Sequence, residues 1–224
     1  MTTLALFDLD HTLLPLDSDY EWGQYLVRRS AVDVAAFELR NAAFFLQYQA
    51  GTLDPVEYLA FALGNLASFP RATLDALHRD YMRDVIMPAV LPVALALVQK
   101  HQKAGDLVAI VTATNRFVTA PIALALGVEH LLAAEPEQAA NGDLTGRLIG
   151  VPTSGAGKIT HTRAWLAAMG KSLEDFERSY FYSDSHNDLP LMSIVTDPVA
   201  TNPNTLLAAH ATAHGWPILK LFND

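Results

Sequence analysis

The chain has 224 residues, with 15 Lys and Arg against 24 Asp and Glu, a formal net charge of −9 at pH 7. Apolar residues make up 51% and charged residues 17%, enough for a substantial core, which excludes wholesale disorder. The acidic balance argues against a general nucleic-acid binder, which needs positive charge to replace displaced counterions, and the absence of cysteine excludes disulfides, thiolate metal sites and thiol nucleophiles.

The first ten residues have no basic leader, and Asp8 and Asp10 fall where a signal peptide would be apolar. The most apolar stretches, Ala89–Val98 and Phe117–Ala134, are interrupted by Pro92 and by Pro121, Glu129 and His130, short of the roughly 20 uninterrupted apolar residues of a spanning helix. The expectation is a soluble, cytoplasmic protein without a membrane partner.

Leu4–Phe7 is a short apolar run ending on Asp8 and reads as a buried strand. From Asp17 to Met87 apolar residues recur at helical spacing, and Asp54-Pro55 and Pro70 read as helix starts. This stretch is expected to hold about four helices and no strand. A strand signal returns at Leu107–Val111, followed by Thr112-Ala113-Thr114-Asn115 and a helix. A turn at Asn141–Asp143 makes Leu144–Ile149 one arm of a hairpin. Gly157–Met169 reads as a helix closed by Gly170, Ser179–Ser183 as a strand, residues from Asn187 as a helix, and Ile194–Ala200 as a strand. Alternating strands and helices imply an α/β fold, a mostly parallel sheet with helices on both faces. The expected division is a core of residues 1–16 and 88–224 and an inserted helical unit of residues 17–87, with proline-containing linkers near 15–18 and 86–92.

The strand ends collect Asp8 and Asp10, then Thr112, then Lys158 downstream, then Asp184 and Asp188. Ligands of open α/β sheets bind outside the carboxyl ends of the strands, so these residues are expected in one crevice. Carboxylates there suit a hard divalent cation, and a lysine and a hydroxyl suit phosphate oxygens.

Phe-Asp8-Leu-Asp10-His-Thr12-Leu-Leu resembles the DxDxT signature of the haloacid dehalogenase-like hydrolases. Ile-Val-Thr112-Ala resembles their second motif, Lys158 their third, and Ser-Asp184-Ser-His-Asn-Asp188 their fourth, in order over nearly the whole chain. The helical insert between the first two motifs is similar to the cap of the phosphoserine phosphatase-like branch. Ser183 departs from the Gly usual there, which puts the exact placement of the following loop in question.

The resemblance implies a Rossmann-like core with a helical cap and a Mg²⁺-dependent phosphomonoester hydrolase. Asp8 would be the nucleophile, forming an aspartyl-phosphate, and Asp10 the acid and base. Asp8, Asp184 and the Asp10 backbone carbonyl would hold the metal. Lys158, Thr112 and Ala113 would bind the phosphoryl group, with Thr12, Asn187 and Asp188 supporting them. The implied partner is a small phosphorylated metabolite such as phosphoserine or histidinol phosphate. A phosphotransferase using the same intermediate, or a non-catalytic binding protein of the same fold, are the alternatives.

Asp17, Asp19 and Glu21 crowd the start of the insert, and by that resemblance one of them would bind a substrate ammonium; Asp17 and Glu21 are carried forward with Arg116 as specificity candidates. Arg28, Arg29 and Arg40 are further candidates for a substrate carboxylate. Gly155-Ala-Gly157-Lys158 fails as a phosphate loop, because Pro152 stands where the first glycine belongs and Ile159 follows the lysine. Ser185, His186 and Asp188 are too close in sequence for a hydrolase triad, and His210 and His214 lack a third metal ligand nearby.

Overall fold

A computed structural model describes residues 3–29, 34–50 and 52–222. Its first strand, β1 (Thr3–Phe7), is buried from Leu4 to Phe7. A strand apolar on both sides needs cover on both faces. Ala5 and Phe7 pack into one hydrophobic cluster, Leu4 and Leu6 into another.

The chain then becomes helical: α1 (Ser18–Arg28), α2 (Val34–Ala50), α3 (Pro55–Ala67) and α4 (Arg71–Tyr81), a π-helical turn at Met82–Ile86 running into α5 (Met87–Ala89), and α6 (Pro92–Ala104). The helices expected within residues 17–87 correspond to α1–α4; residues 30–33 and 51 of that stretch lie outside the described residues. Local chemistry sets the starts. Asp17 caps α1 by accepting the amides of Asp19 and Tyr20, each at 2.9 Å. Asp54 caps α3, with Pro55 as its first residue. Helix α6, which the sequence reading did not mark, begins on Pro92 and ends against Gly105 in the left-handed region (φ +79°), where a side chain would be strained.

The remaining elements are β2 (Leu107–Asn115), α7 (Arg116–Ala125), β3 (His130–Gln138), β4 (Leu144–Ile149), α8 (Ala156–Ala168), β5 (Arg178–Ser183), a 3₁₀ turn at His186–Asp188 leading into α9 (Leu189–Met192), β6 (Asp197–Thr201), α10 (Thr205–His214) and β7 (Ile218–Leu219). Among the described residues they form one sheet in the order β4-β3-β2-β1-β5-β6-β7, parallel except where β4 runs against β3. One face is covered by α6 and α7 through Val98 and Ile122, together with Trp22 and Leu63 from the helical segment. The other is covered by α8, α9 and α10 through Leu166, Leu191 and Leu207.

Besides α6 and β7, which the sequence did not mark, three strands differ from expectation. β2 continues to Asn115 instead of stopping at Val111, with its pairing to β3 slipping between Val111 and Asn115. That slip frees Thr112–Thr114 from regular pairing. β3 escaped notice because Glu135, Pro136 and Glu137 break its apolar run. β6 starts at Asp197, after the expected Ile194.

Strands β2 and β3 succeed one another to one side of β1, and β5, β6 and β7 to the other. The order therefore reverses at β1, the position where a crevice opens at the strands' carboxyl ends. Beneath it, a buried chain of hydrogen bonds ties α6 to β5: His101 Nδ1 lies 2.7 Å from Asp106 and its Nε2 2.8 Å from the Tyr182 hydroxyl. The carboxylate requires a proton on Nδ1, so Nε2 accepts from Tyr182. The Tyr182 ring stacks on Phe7, centroids 4.7 Å apart, fixing the two strands that carry the first and last motifs.

Helix α8 enters the crevice under a tight constraint. A Cβ on Gly157 would sit 2.0 Å from the Pro152 carbonyl oxygen, so any side chain there displaces backbone next to Lys158. Gly157→Ala is expected to lose about 1–3 kcal/mol of stability, as overpacking does, read as a lower urea midpoint at unchanged slope. An unchanged midpoint would mean that the approach of α8 to residue 152 is not a constraint.

Candidate active site

Asp8 follows β1 directly and extends the ladder, its amide donating to the Tyr182 carbonyl at 2.9 Å. The chain then turns sharply. His11 adopts φ +56°, and the amides of Thr12, Leu13 and Leu14 all point at the Leu9 carbonyl. The turn aims Asp8 and Asp10 into the crevice. It also buries Thr12, whose hydroxyl accepts the Asp184 amide at 3.1 Å and donates to Asp184 Oδ1 at 3.4 Å. Thr12 thus fastens the loop after β1 to the loop after β5.

Lys158, 2% exposed in the first turn of α8, bridges Asp8 Oδ1 at 2.8 Å and Asp188 Oδ2 at 2.6 Å. Burial works against its charge, but Asp188 and Asp8 more than reverse that and hold the ammonium above its ordinary pKa. Ser183 has a defined partner: its hydroxyl donates to Asp188 Oδ2 at 2.7 Å and accepts the Ser185 amide at 3.2 Å. Burial, with the charges of Asp8 and Asp188, pushes Asp184 well above the carboxylate range. Burial, opposed by Lys158, raises Asp188 to about 6.

Three carboxyl groups (Asp8, Asp184, Asp188) meet one ammonium here, so the fully ionised set carries two negative charges in excess, the complement of one divalent cation. The donors are all oxygen, the set that Mg²⁺ prefers. No three His, Cys, Asp or Glu side chains converge as a metal cluster among the described residues, so the fit relies on two carboxylates and a backbone carbonyl with water and substrate completing the shell.

A second acidic group faces the first. Asp10 accepts the Ser18 amide at 2.8 Å and the Thr114 hydroxyl at 2.9 Å, and burial together with the Asp17 charge raises it to about 6. Asp19 is buried, accepts the Tyr58 hydroxyl at 2.5 Å and the Asn115 side-chain amide at 3.3 Å, and is likewise raised to about 6, chiefly by burial. Asp17 is raised mainly by burial as well. The Tyr81 hydroxyl holds the Ser18 carbonyl at 2.7 Å, anchoring the start of α1 from below.

These groups share a cavity of about 340 Å³. Asp8, Asp10, Asp17, Thr112, Ala113, Lys158, Asn187 and Asp188 all line it, so the structure brings together residues far apart in the chain. Thr12 and Asp184 stand behind the lining. Two specificity candidates lie elsewhere. Glu21 pairs with Arg28 at 3.6 Å on the outer side of α1. Arg116 turns to Glu135 at 2.5 Å and the Leu131 carbonyl at 2.8 Å, lining a separate groove beside α4 and α7. Arg29 and Arg40 pair with Asp80 and Glu57. Among the described residues Lys158 is therefore the one Lys or Arg lining the cavity. His186 approaches Asn204 at 3.3 Å, and His210 stacks on His214 along α10, away from the cavity.

The sequence reading did not single out Thr114, Asn41 or Tyr58, which also line the cavity. The Thr-Ala-Thr spacing could have pointed to Thr114. Asn41 and Tyr58 carry no sequence signal, since each is one polar residue in a helical pattern.

Comparison with known proteins agrees with this geometry. The family model for haloacid dehalogenase-like hydrolases matches residues 5–193. The histidinol-phosphatase of Neisseria meningitidis serogroup C (strain 8013) is 42% identical over 220 residues, covering 98% of this chain and 99% of that protein. A phosphoserine phosphatase of Mycobacterium tuberculosis is 33% identical over 221 residues, covering 97% and 70%. A crystal structure of a protein of unknown function from Bordetella pertussis Tohama I superposes with a TM-score of 0.94 at 49% identity, covering 99% of this chain and 100% of that one. The chain belongs to the haloacid dehalogenase-like hydrolases and is a phosphatase of their phosphoserine phosphatase-like branch.

Proposed function

We propose that the chain hydrolyses the phosphate ester of a small cationic amino alcohol without a carboxylate, with histidinol phosphate as the favoured substrate, in the cytoplasm. The observation that carries this reading is the charge of the cavity: Asp17 and Asp19 line it, and Lys158 is its one Lys or Arg among the described residues. A substrate ammonium is attracted there, whereas the carboxylate of phosphoserine would meet two acids with no cation to receive it. The similarity to the Neisseria histidinol-phosphatase supports the same choice.

In this reading residues 17–87 act as a cap on a core of residues 1–16 and 88–224. An Asp8 carboxylate oxygen attacks phosphorus in line, forming the Asp8–O–P bond as the ester P–O bond breaks. Asp10, raised by burial to about 6, gives its proton to the departing alkoxide. It then takes one from the water that attacks the aspartyl-phosphate, releasing orthophosphate and restoring Asp8. Dividing one hard displacement into two is the gain of covalent catalysis. Lys158 neutralises Asp8 and faces the transferring group. The Thr112 hydroxyl accepts the Thr114 amide at 3.2 Å, which leaves its own proton for a phosphoryl oxygen, and the Ala113 amide is the further donor. Asp8, Asp184 and the Asp10 carbonyl would hold Mg²⁺. When bound, the ion screens the repulsion between carboxylate and phosphate and draws charge from the phosphoryl oxygens.

Two measurements test this. Asp8→Asn is expected to abolish phosphate release from histidinol phosphate. Asp10→Asn should lose about 100-fold or more in kcat/KM on that alkyl ester but much less in kcat/KM on p-nitrophenyl phosphate, whose leaving group needs no proton. Equal losses in kcat/KM on both esters would remove Asp10 as the acid.

The raised carboxylates also predict a pH dependence. A carboxyl whose folded pKa lies near 6 against 3.8 unfolded, as for Asp10, Asp19 and Asp188, binds its proton more tightly in the folded state. Stability is then gained as pH falls through 6 and lost as it rises. The metal-free protein should gain at least about 1 kcal/mol in urea denaturation between about pH 7.5 and about pH 5. Millimolar Mg²⁺ should raise stability at the higher pH and flatten the curve. A curve that rises with pH, or one indifferent to Mg²⁺, would count against the charge deficit at the strand ends.

A further inference from the structure

Among the described residues, two other than glycine hold left-handed backbone: His11 (φ +56°) in the loop after β1 and Asn202 (φ +46°) after β6. A hydrogen bond joins them, the Asn202 Nδ2 donating to the His11 carbonyl at 3.0 Å. Asn and His enter this region more readily than most side chains, but one such residue held against another marks a turn fixed by its surroundings.

The orientation of the Asn202 side chain is settled by its partners. Its Oδ1 accepts the Leu221 amide at 2.7 Å and the Phe222 amide at 3.2 Å. Those amides can only donate, so Nδ2 is left to face the His11 carbonyl, which can only accept. The Asn202 backbone amide donates to the Leu219 carbonyl at 2.8 Å, so β7 and the residues after it hold the side chain in place. Two residues on, the Asn204 amide donates to the Asp184 carbonyl at 2.8 Å, and the Asn204 side chain caps α10 by accepting the Leu207 amide at 2.9 Å. One turn after β6 thus touches both the loop that carries Asp10 and the loop that carries Asp184.

His11 sits between Asp10 and Thr12. Its amide donates to the Leu16 carbonyl at 3.2 Å, and the Thr12 amide donates to the Leu9 carbonyl at 3.2 Å. The bond from Asn202 holds the His11–Thr12 peptide at its other end. With both planar peptides fixed, His11 cannot leave the left-handed region, and the direction of Asp10 follows from it. We propose that Asn202 is a positioning residue: through His11 it sets the direction of Asp10, the proposed acid and, by its carbonyl, a proposed Mg²⁺ ligand. Asn202 is not among the residues lining the cavity, so it acts on the substrate only through that loop. The inference rests on the role of Asp10 proposed above and adds the group that aims it.

The test uses the full chain with Mg²⁺ and two aryl esters, phenyl phosphate and p-nitrophenyl phosphate, which differ in how much the departing oxygen needs a proton. Asn202→Gly keeps the left-handed backbone and loses every side-chain bond; Asn202→Asp keeps the acceptor for Leu221 and Phe222 and loses the donor to His11. Both should lose about 10-fold or more in kcat on phenyl phosphate and clearly less on p-nitrophenyl phosphate, with KM little changed, a smaller version of the loss in Asp10→Asn. Half of the thermal stabilisation by Mg²⁺ should need about 10-fold more of the ion, the scale seen when a group that orients a metal ligand is removed. That weakening in Asn202→Asp cannot come from its added negative charge, which by itself would attract the ion. A role confined to anchoring residues 219–222 would lower both esters equally in Asn202→Gly and spare Asn202→Asp, which overturns the proposal, as does an unchanged ester ratio or Mg²⁺ requirement in both variants. Asp10→Asn tells the two failures apart. If it treats the esters alike, the acid role falls and this inference with it; if it separates them and the Asn202 variants do not, this inference alone falls.

Discussion

The bridge from Lys158 to Asp8 and Asp188 governs the rest of the site. An ammonium that is 2% exposed is tolerable only because two carboxylates lie within 2.8 Å of it, and each carboxylate is tolerable only because of the ammonium. Neither β1, β5 nor α8 can shift without separating buried charges, so the bridge pins three elements at the end of the sheet. The devices around it serve the same alignment. Thr12 joins the loop after β1 to that after β5, Ser183 secures Asp188, and the Asp106–His101–Tyr182 chain fixes β5 from below. The helix carrying Lys158 is seated by Gly157, where no side chain fits. One ammonium for three carboxyl groups leaves a local excess of negative charge when all are ionised, which suits the site to a cation.

The helical segment adds to that excess instead of relieving it. Asp17 serves as an ordinary N-cap, a role that would suit an exposed helix, but burial with the Asp19 charge raises its pKa, and burial with the Asp17 charge raises that of Asp10. Asp19 is buried under Tyr58 where a neutral side chain would fold more easily. Structures that keep such groups give up stability for function. In the proposed mechanism the function served is twofold: Asp10 holds a proton more readily than an ordinary carboxyl, and the substrate's amine meets an anionic wall.

The floor of the site was legible in the sequence because chemistry and topology coincide there. Asp8, Thr112 and Asp184 stand at or just beyond the ends of apolar strands, and the strand pattern of β1 and β5 is strong enough to place them. Lys158 became legible only through its order in the motif series, since nothing local distinguishes it from a surface lysine. The wall was less legible. Which of Asp17, Asp19 and Glu21 faces inward depends on the rotation of α1 about its axis, and the buried residues Trp22, Tyr25 and Leu26 set that rotation, turning Asp17 and Asp19 inward and Glu21 outward. Arg116 follows the end of β2 and was expected to bear on substrate specificity. The slip in the β2–β3 pairing and the nearby Glu135 turn it into another groove. β3 was hidden because a strand paired near its end with an edge hairpin tolerates Pro136 and two glutamates, which breaks the expected pattern.

The division between floor and wall explains how one family can act on different leaving groups. Phosphoryl transfer needs the same nucleophile, acid and cationic groups whatever alcohol departs, and these come from the sheet ends, where any change would disturb a buried charge network. In the proposed reading the leaving group is met by α1, α2 and α3, whose residues line the cavity and whose inward side chains can vary while the floor stays fixed. Discrimination then depends on charges as much as on shape. A pocket that rejects one methylene gains little, but one that offers a carboxylate-bearing substrate no cation leaves that charge desolvated beside two others. Among the described residues no arginine lines the cavity, which in the proposed reading is a selective feature in its own right and favours an amine.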